Sequence, residues 1–271
     1  MGKSTLLNSL IGTKVAITSP KPQTTRLPIQ GILHREDAQI VFVDTPGYFT
    51  GARSALTKKL NRFAEQGING VDVILHIVDP MRPIGPEDKK LFSILRNVSA
   101  PKILVINKAD MVRAPYREAF LGESDGYDSV IEVSAKDKTH LKKLESRIIE
   151  LLPDGEPIYP FGQFTNMDPG MWVAEIIREK LFLRLHEEAP YALTVVVDEM
   201  VTRDDGTVFV AARILVSDER YRGIVIGKGG RGVKEIGQSA RKELEGVWGS
   251  HVYIELTVEV DKHWMEKLSQ N

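Results

Sequence analysis

Ile103-Leu104-Val105-Ile106-Asn107-Lys108-Ala109-Asp110 joins four apolar residues to a polar tetrad without a break. An apolar run of this length reads as a strand buried on both faces, as in a parallel sheet covered by helices. The tetrad then sits at the strand's carboxyl end, the edge of an open α/β sheet where ligands bind. A carboxylate at its fourth position, Asp110, can accept two hydrogen bonds from the N–H groups of guanine, which adenine does not offer. Taken alone, the tetrad is also a serviceable helix cap. The neighbouring segments decide between the two.

Ile40 to Val43, Val73 to Val78 and Val130 to Val133 repeat the β-branched texture, while Ser54 to Gln66, Glu87 to Arg96 and Leu141 to Leu152 carry helical periodicity. Strand and helix in alternation predict a doubly wound α/β sheet. Asp44-Thr45-Pro46-Gly47 follows the run at Ile40. There Asp44 can hold the shell of a Mg²⁺ ion and the Gly47 N–H can sense a γ-phosphate, whereas an isolated Pro-Gly is a turn and nothing more. Ser134-Ala135-Lys136 follows the run ending at Val133, where a backbone N–H can meet the guanine carbonyl. Gly2-Lys3-Ser4-Thr5 precedes Leu6, Leu7, Leu10 and Ile11, which fit a helix. This is the tail of a phosphate loop: N–H groups point at phosphate, Lys3 reaches the β and γ oxygens, and Ser4 binds Mg²⁺.

The bulk numbers bound the rest. At 271 residues the chain has room for two domains, each with its own core. With no Cys, disulfides and thiolate metal sites are excluded, and a reducing cytoplasm is the expected compartment. No apolar stretch approaches the roughly 18 residues needed to cross a bilayer. A net charge of -1 gives no global field, so any basic surface is local.

Such a surface lies between Arg220 and Lys242, where seven basic residues face one acidic residue, Glu235. Phosphates are the expected partner. Within it, Ile224-Val225-Ile226-Gly227-Lys228-Gly229-Gly230-Arg231 is rich in glycine. A Gly-x-x-Gly turn between helices lets backbone approach a nucleic-acid strand, and Lys228 adds charge. By itself the stretch reads sooner as a helix connection with a solvated basic face, and the order of the surrounding elements reverses that preference. Around it the texture predicts a helix over Trp172 to His186, strands at Leu193 to Val197 and Val208 to Val216 parted by a turn at Arg203 to Gly206, a further helix, and a strand from His251 to Val260. That order is helix, strand, strand, helix, helix, strand. It describes a small α+β domain and resembles a type II KH domain, in which Ile224, Ile226 and Ile236 are candidates for the groove that reads bases.

Gly2 to Asn8, Lys21-Pro22-Gln23-Thr24-Thr25-Arg26, Asp44 to Gly47, Asn107 to Asp110 and Ser134 to Lys136 together resemble the five guanine-nucleotide boxes of the Era family of bacterial GTPases. With the KH-like segment the resemblance runs from Gly2 to about Trp264 and includes Ala174 to Leu181 and Glu188 to Tyr191. It implies a P-loop GTPase domain at residues 1–153, a linker at 154–170 and a type II KH domain at 171–271. It also implies GTP hydrolysis to GDP with Lys3, Thr25 and Gly47 at the reaction, Thr25 being the switch threonine that joins Mg²⁺ beside Ser4 and Asp44. Nucleotide would be held by Gly2, Lys3, Ser4, Thr5, Asp44, Gly47, Asn107, Lys108, Asp110, Ser134, Ala135 and Lys136. RNA would be held by Arg222, Ile224, Ile226, Gly227, Lys228, Gly229, Gly230, Arg231 and Lys234. The implied partners are the 3′ end of 16S ribosomal RNA and the 30S subunit, bound by a monomer in the cytoplasm. Peripheral contact with the cytoplasmic membrane belongs to the family but has no visible basis in these residues.

Tyr48 stands where Ras-like enzymes carry the Gln that orients attacking water, so slow turnover, or turnover assisted by K⁺ or a partner, is implied. The Asn that helps to hold K⁺ in relatives would lie ahead of Met1. A complete phosphate loop also needs four residues and a strand ahead of Gly2, so the sequence is expected to begin inside its own motif. The alternative is an RNA-binding module without GTPase activity.

Overall fold

The structure, a computed structural model, describes residues 1–19, 21, 25–26, 28–47, 60–62, 66–68 and 70–266. Tyr48, most of Ser54 to Gln66, and Pro22, Gln23 and Thr24 lie outside the described residues. The chain divides into two compact units, Met1–Thr18 with Thr25–Asn166, and Ser19–Thr24 with Met167–Asn271.

In the first unit β3 (Ile74–Val78), β4 (Lys102–Ile106) and β5 (Ser129–Glu132) form a parallel sheet in that order. All five residues of β4 are buried, and alternation sends them to two cores. Ile103 and Val105 pack with Leu6 and Leu10 of α1 (Lys3–Ile11) and with Leu141, Leu144 and Ile148 of α4 (Leu141–Leu151). Leu104 and Ile106 pack on the other face with Phe92 of α2 (Pro86–Leu95) and Phe120 of α3 (Arg117–Leu121). A strand covered on both faces cannot alternate polar with apolar, which is why its sequence is a continuous apolar run.

The Ile40 run behaves differently from its expected parallel pairing. β2 (Gln39–Asp44) is antiparallel to β1 (Ile29–His34), a strand that the sequence reading missed. Pro28 just ahead of it and Gly31 within it obscure its pattern. The Pro/Gly-rich stretch after Leu152 is tied to this hairpin: Ile32 N–H donates to the Phe164 carbonyl at 2.9 Å, and Gln39 Oε1 accepts from the Ile158 and Tyr159 N–H groups. It is therefore backbone-bonded structure, where composition alone reads as linker.

The second unit runs α5 (Pro169–Arg184), β6 (Leu193–Thr202), β7 (Val208–Val216), α6 (Glu219–Ile226), α7 (Arg231–Trp248) and β8 (Val252–Val260), the expected order. Asp168 caps α5, its Oδ1 accepting from the Gly170 and Met171 N–H groups. β6 and β7 are antiparallel with a bulge between Val197 and Glu199, and β8 adds parallel to β7 as an edge strand. Val210, Ala212 and Ile214 of β7 and Ile236, Ala240 and Leu244 of α7 are buried. Lys21 belongs to this unit, its ammonium donating to the Phe182 and Leu185 carbonyls at the end of α5. Among the described residues no helix is long and apolar enough to cross a membrane.

Candidate nucleotide and nucleic-acid sites

α1 begins without a side-chain cap and with no acid in its first turn, where Lys3, Ser4 and Thr5 stand. Its N-terminal N–H groups are thus left for an anion. Gly2 enters the helix at φ +89°, and a Cβ there would fall 2.5 Å from Asn107 Nδ2. Glycine is needed both for the backbone and for this approach. Asn107 in turn accepts from the Ala135 N–H at 3.0 Å, and Ser9 Oγ donates to the Ala135 carbonyl at 2.6 Å. The phosphate-loop tail and the loops after β4 and β5 are therefore stitched together.

The three residues expected at Mg²⁺ also converge. Ser4 Oγ donates to Asp44 Oδ2 at 2.8 Å, Thr25 Oγ1 donates to the same oxygen at 3.1 Å, and the two hydroxyls lie 3.2 Å apart. One carboxylate with two hydroxyls suits a hard cation that completes its shell with phosphate and water. Among the described residues no group of three or more His, Asp or Glu offers an all-protein cage. Gly47 lies three residues beyond Asp44, half-buried.

Ser134, fully buried, donates to Asp110 Oδ1 at 2.7 Å and accepts from the Asp137 N–H at 3.0 Å. The Ser134 hydrogen bond holds the Asp110 carboxyl below the ordinary carboxylate range, helped by the charges of Lys136 and Lys108. Asp110 is therefore an acceptor at neutral pH. Lys108 takes a left-handed backbone, φ +66°, and its ammonium pairs with Asp79 Oδ2 at 2.7 Å. Burial pushes the Asp79 carboxyl up, but Lys108 and the Met81 N–H more than offset it and its pKa is lowered. Asp79 was missed from sequence, although an acid directly after the run Val73 to Val78 was the available signal.

Residues 1–108 match the family described as 50S ribosome-binding GTPase, and residues 188–265 match the KH domain family. The GTPase Era of Carboxydothermus hydrogenoformans is 41% identical over 98% of this chain and 91% of its own length. The chain belongs to the Era family of GTPases. Era from Geotalea daltonii is 40% identical over 98% of the chain and 90% of its own. A crystal structure of Era with MgGDPNP and nucleotides 1506-1542 of 16S ribosomal RNA superposes with a TM-score of 0.91 at 34% identity, covering 99% of this chain and 92% of that one. A variant of Aquifex aeolicus Era bound to GDP and AlF4⁻ gives 0.89 with the same identity and coverage.

In this Era-family chain the KH glycines have distinct tasks. Gly227, Gly229 and Gly230 have φ of +68°, +61° and +74°, so the turn between α6 and α7 is written in backbone forbidden to most side chains. Gly232 serves packing, since a Cβ there would lie 2.3 Å from the Val225 carbonyl. Lys228, Arg231 and Lys234 are exposed and form no ion pair among the described residues. Arg222 is committed elsewhere: Nη1 pairs with Glu219 at 2.6 Å and Nε donates to the Val258 carbonyl at 3.2 Å. Ile224 is exposed and Ile226 half-buried, but Ile236 is 1% exposed and belongs to the core rather than to a groove.

The reason is helical phase. Ile236, Ala240 and Leu244 face the sheet, while the adjacent stripe Val233, Gly237 and Arg241 meets the edge of β8. There a groove of about 320 Å³ is lined by Val233, Lys234, Gly237, Gln238 and Arg241 of α7 and by Tyr253, Ile254 and Leu256 of β8. Of these, Lys234 was expected. The rest were missed because the pairing of α7 with β8 is a tertiary fact, though Gly237 inside a helical pattern was a usable hint.

Proposed function

We propose that this chain binds GTP with Mg²⁺, hydrolyses it to GDP and phosphate, and uses its second unit to hold the 3′ end of 16S ribosomal RNA during assembly of the 30S subunit. The observation that carries the reading is the meeting of Ser4, Thr25 and Asp44 on one carboxylate oxygen, with Gly2 lodged against Asn107. Lys3 and the uncapped first turn of α1 hold the β and γ oxygens, the Gly47 N–H meets the γ-phosphate, and Asp110, steadied by Ser134, selects guanine. Mg²⁺, when bound by Ser4, Thr25 and the Asp44 shell, neutralises charge on the phosphate oxygens. The 16S RNA bound in the similar Era structure supports the RNA half, as do the exposed cations around the glycine turn.

Titration with a fluorescent GTP analogue in Mg²⁺ tests the nucleotide half. Saturable binding displaced by GTP and not by ATP is expected, with Ser4→Ala at least tenfold weaker. Equal displacement by ATP would overturn the guanine assignment.

A further inference from the structure

The outer face of the second unit's sheet carries an aromatic cluster that the nucleotide and KH readings do not use. Phe209 of β7 and Tyr253 of β8 are register partners, and their rings lie 6.0 Å apart with planes 16° from parallel. The guanidinium of Arg203 lies over both, 4.7 Å from the Phe209 centroid and 5.7 Å from that of Tyr253. Arg203 is held at the mouth of the β6–β7 hairpin, where its N–H donates to the Thr207 carbonyl and its carbonyl accepts from the Gly206 N–H, both at 2.9 Å. The cluster is therefore anchored by a tight turn. It is also wet, with Tyr253 55% exposed.

Two observations give it an occupant. Tyr253 also lines the groove between α7 and β8, so the cluster continues that groove around the edge strand. Farther along, the same face is closed to a polyanion. Arg213 is taken up by Asp198 and Glu259, and Glu255, two residues beyond Tyr253 and on its side of the strand, is exposed. At the hairpin end a cation and two rings stand together, and one of those rings, Tyr253, shares the groove lining with Lys234 and Arg241. Aromatic faces and guanidinium planes are the platforms on which unpaired bases stack, whatever their sequence.

We propose that Arg203, Phe209 and Tyr253 form an additional stacking site for one unpaired nucleobase of an RNA strand leaving the KH groove. The proposal rests on the RNA-binding reading of the second unit. The groove with its glycine turn holds about four nucleotides. The next base packs on Tyr253 while Arg203 meets its phosphate.

The test compares a four-nucleotide with an eight-nucleotide single-stranded RNA by fluorescence anisotropy on the full chain, the longer one made with 2-aminopurine at either end. One stacked base should make the longer RNA bind roughly five- to a hundredfold tighter, with its 2-aminopurine quenched at one end. Arg203→Ala and Tyr253→Ala should each lower the ratio of the two affinities and restore the fluorescence, and Tyr253→Phe should retain both. An unchanged ratio in Arg203→Ala and Tyr253→Ala overturns the site, as does a lowered unfolding midpoint in Arg203→Ala with the ratio intact, which would make the cluster a hairpin lock. Gly229→Asp should weaken both RNAs alike. If the unsubstituted chain binds neither RNA, the RNA reading fails and this site with it, whereas binding of both without a stacking contribution removes this site alone.

Discussion

Ser134 and Asp110 show how much a single hydrogen bond can settle. A tripeptide Ser-Ala-Lys carries almost no information, yet the Ser134 hydroxyl fixes the carboxylate that we propose reads the base. Asp110→Asn should move base preference from guanine towards xanthine, measured by competition among nucleotides, and unchanged selectivity would remove the assigned role. Ser134→Ala should weaken guanine nucleotides about tenfold, the scale of a lost hydrogen bond to a charged group. His76 offers a prediction away from the site. It is buried with its Nδ1 2.6 Å from Tyr127 Oη, and burial lowers its pKa to about 4. Between that value and the unfolded value of roughly 6.5 the unfolded chain binds the extra proton. Stability is therefore full above about pH 6.5 and declines as pH falls towards 4, by up to roughly 3 kcal/mol. Denaturant midpoints across this window should show the slope, and His76→Phe should flatten it.

At the scale of elements, the α6–turn–α7 segment separates two kinds of glycine that the sequence Gly-Lys-Gly-Gly-Arg-Gly leaves alike. Gly229 has φ +61° with no neighbour within 4 Å of a built Cβ, while a Cβ at Gly232 would sit 2.3 Å from one carbonyl oxygen and 2.8 Å from the next. Gly229→Asp should thus leave the domain folded, at a cost of about 1 kcal/mol for the left-handed backbone, while adding a negative charge where phosphate approaches and so sharply weakening RNA binding. Gly232→Ala should act in the opposite way, costing about 1–3 kcal/mol of stability by forcing α6 and α7 apart. Circular dichroism melts and RNA anisotropy on the pair distinguish the two. Equal effects on both measurements would contradict the assignment. The missed strand β1 belongs to this scale too. Its burial alternates poorly, and Pro28 and Gly31 punctuate a run whose partner is the neighbouring hairpin arm.

For the whole molecule, charge is the informative quantity. The chain is neutral to within one unit, yet four cations between the glycine turn and the far half of α7, Lys228, Arg231, Lys234 and Lys242, form no ion pair among the described residues, whereas Arg220, Arg222 and Arg241 each face a glutamate. If those four meet phosphates, the logarithm of RNA affinity should fall with the logarithm of salt concentration with a slope of about -3. A slope near -5 would bring the paired arginines into the interface, and a slope near zero would exclude the basic surface. The division into two units also has an outcome: nucleotide with Mg²⁺ should raise the unfolding temperature of the unit containing Met1–Thr18, a shift that scanning calorimetry with and without GTP would register.

The strands that carry the loops, the order of elements in the second unit, and the motifs around Ser4, Asp44, Asn107, Asp110 and the glycine turn are legible in the sequence, whereas β1 and the short α3 are not. Each legible feature is written locally, in an apolar run or in a short motif whose chemistry depends on adjacent residues. Tertiary structure alone decided that Thr25 and Ser4 share one oxygen of Asp44, that Lys21 serves α5, that Asp79 holds Lys108, and that Val233 rather than Ile236 borders a groove. These depend on residues far apart in the chain brought within a few ångströms, and on the rotational phase of a helix against an edge strand. Periodicity gives the stripes of a helix; what each stripe faces comes from the packing of its neighbours.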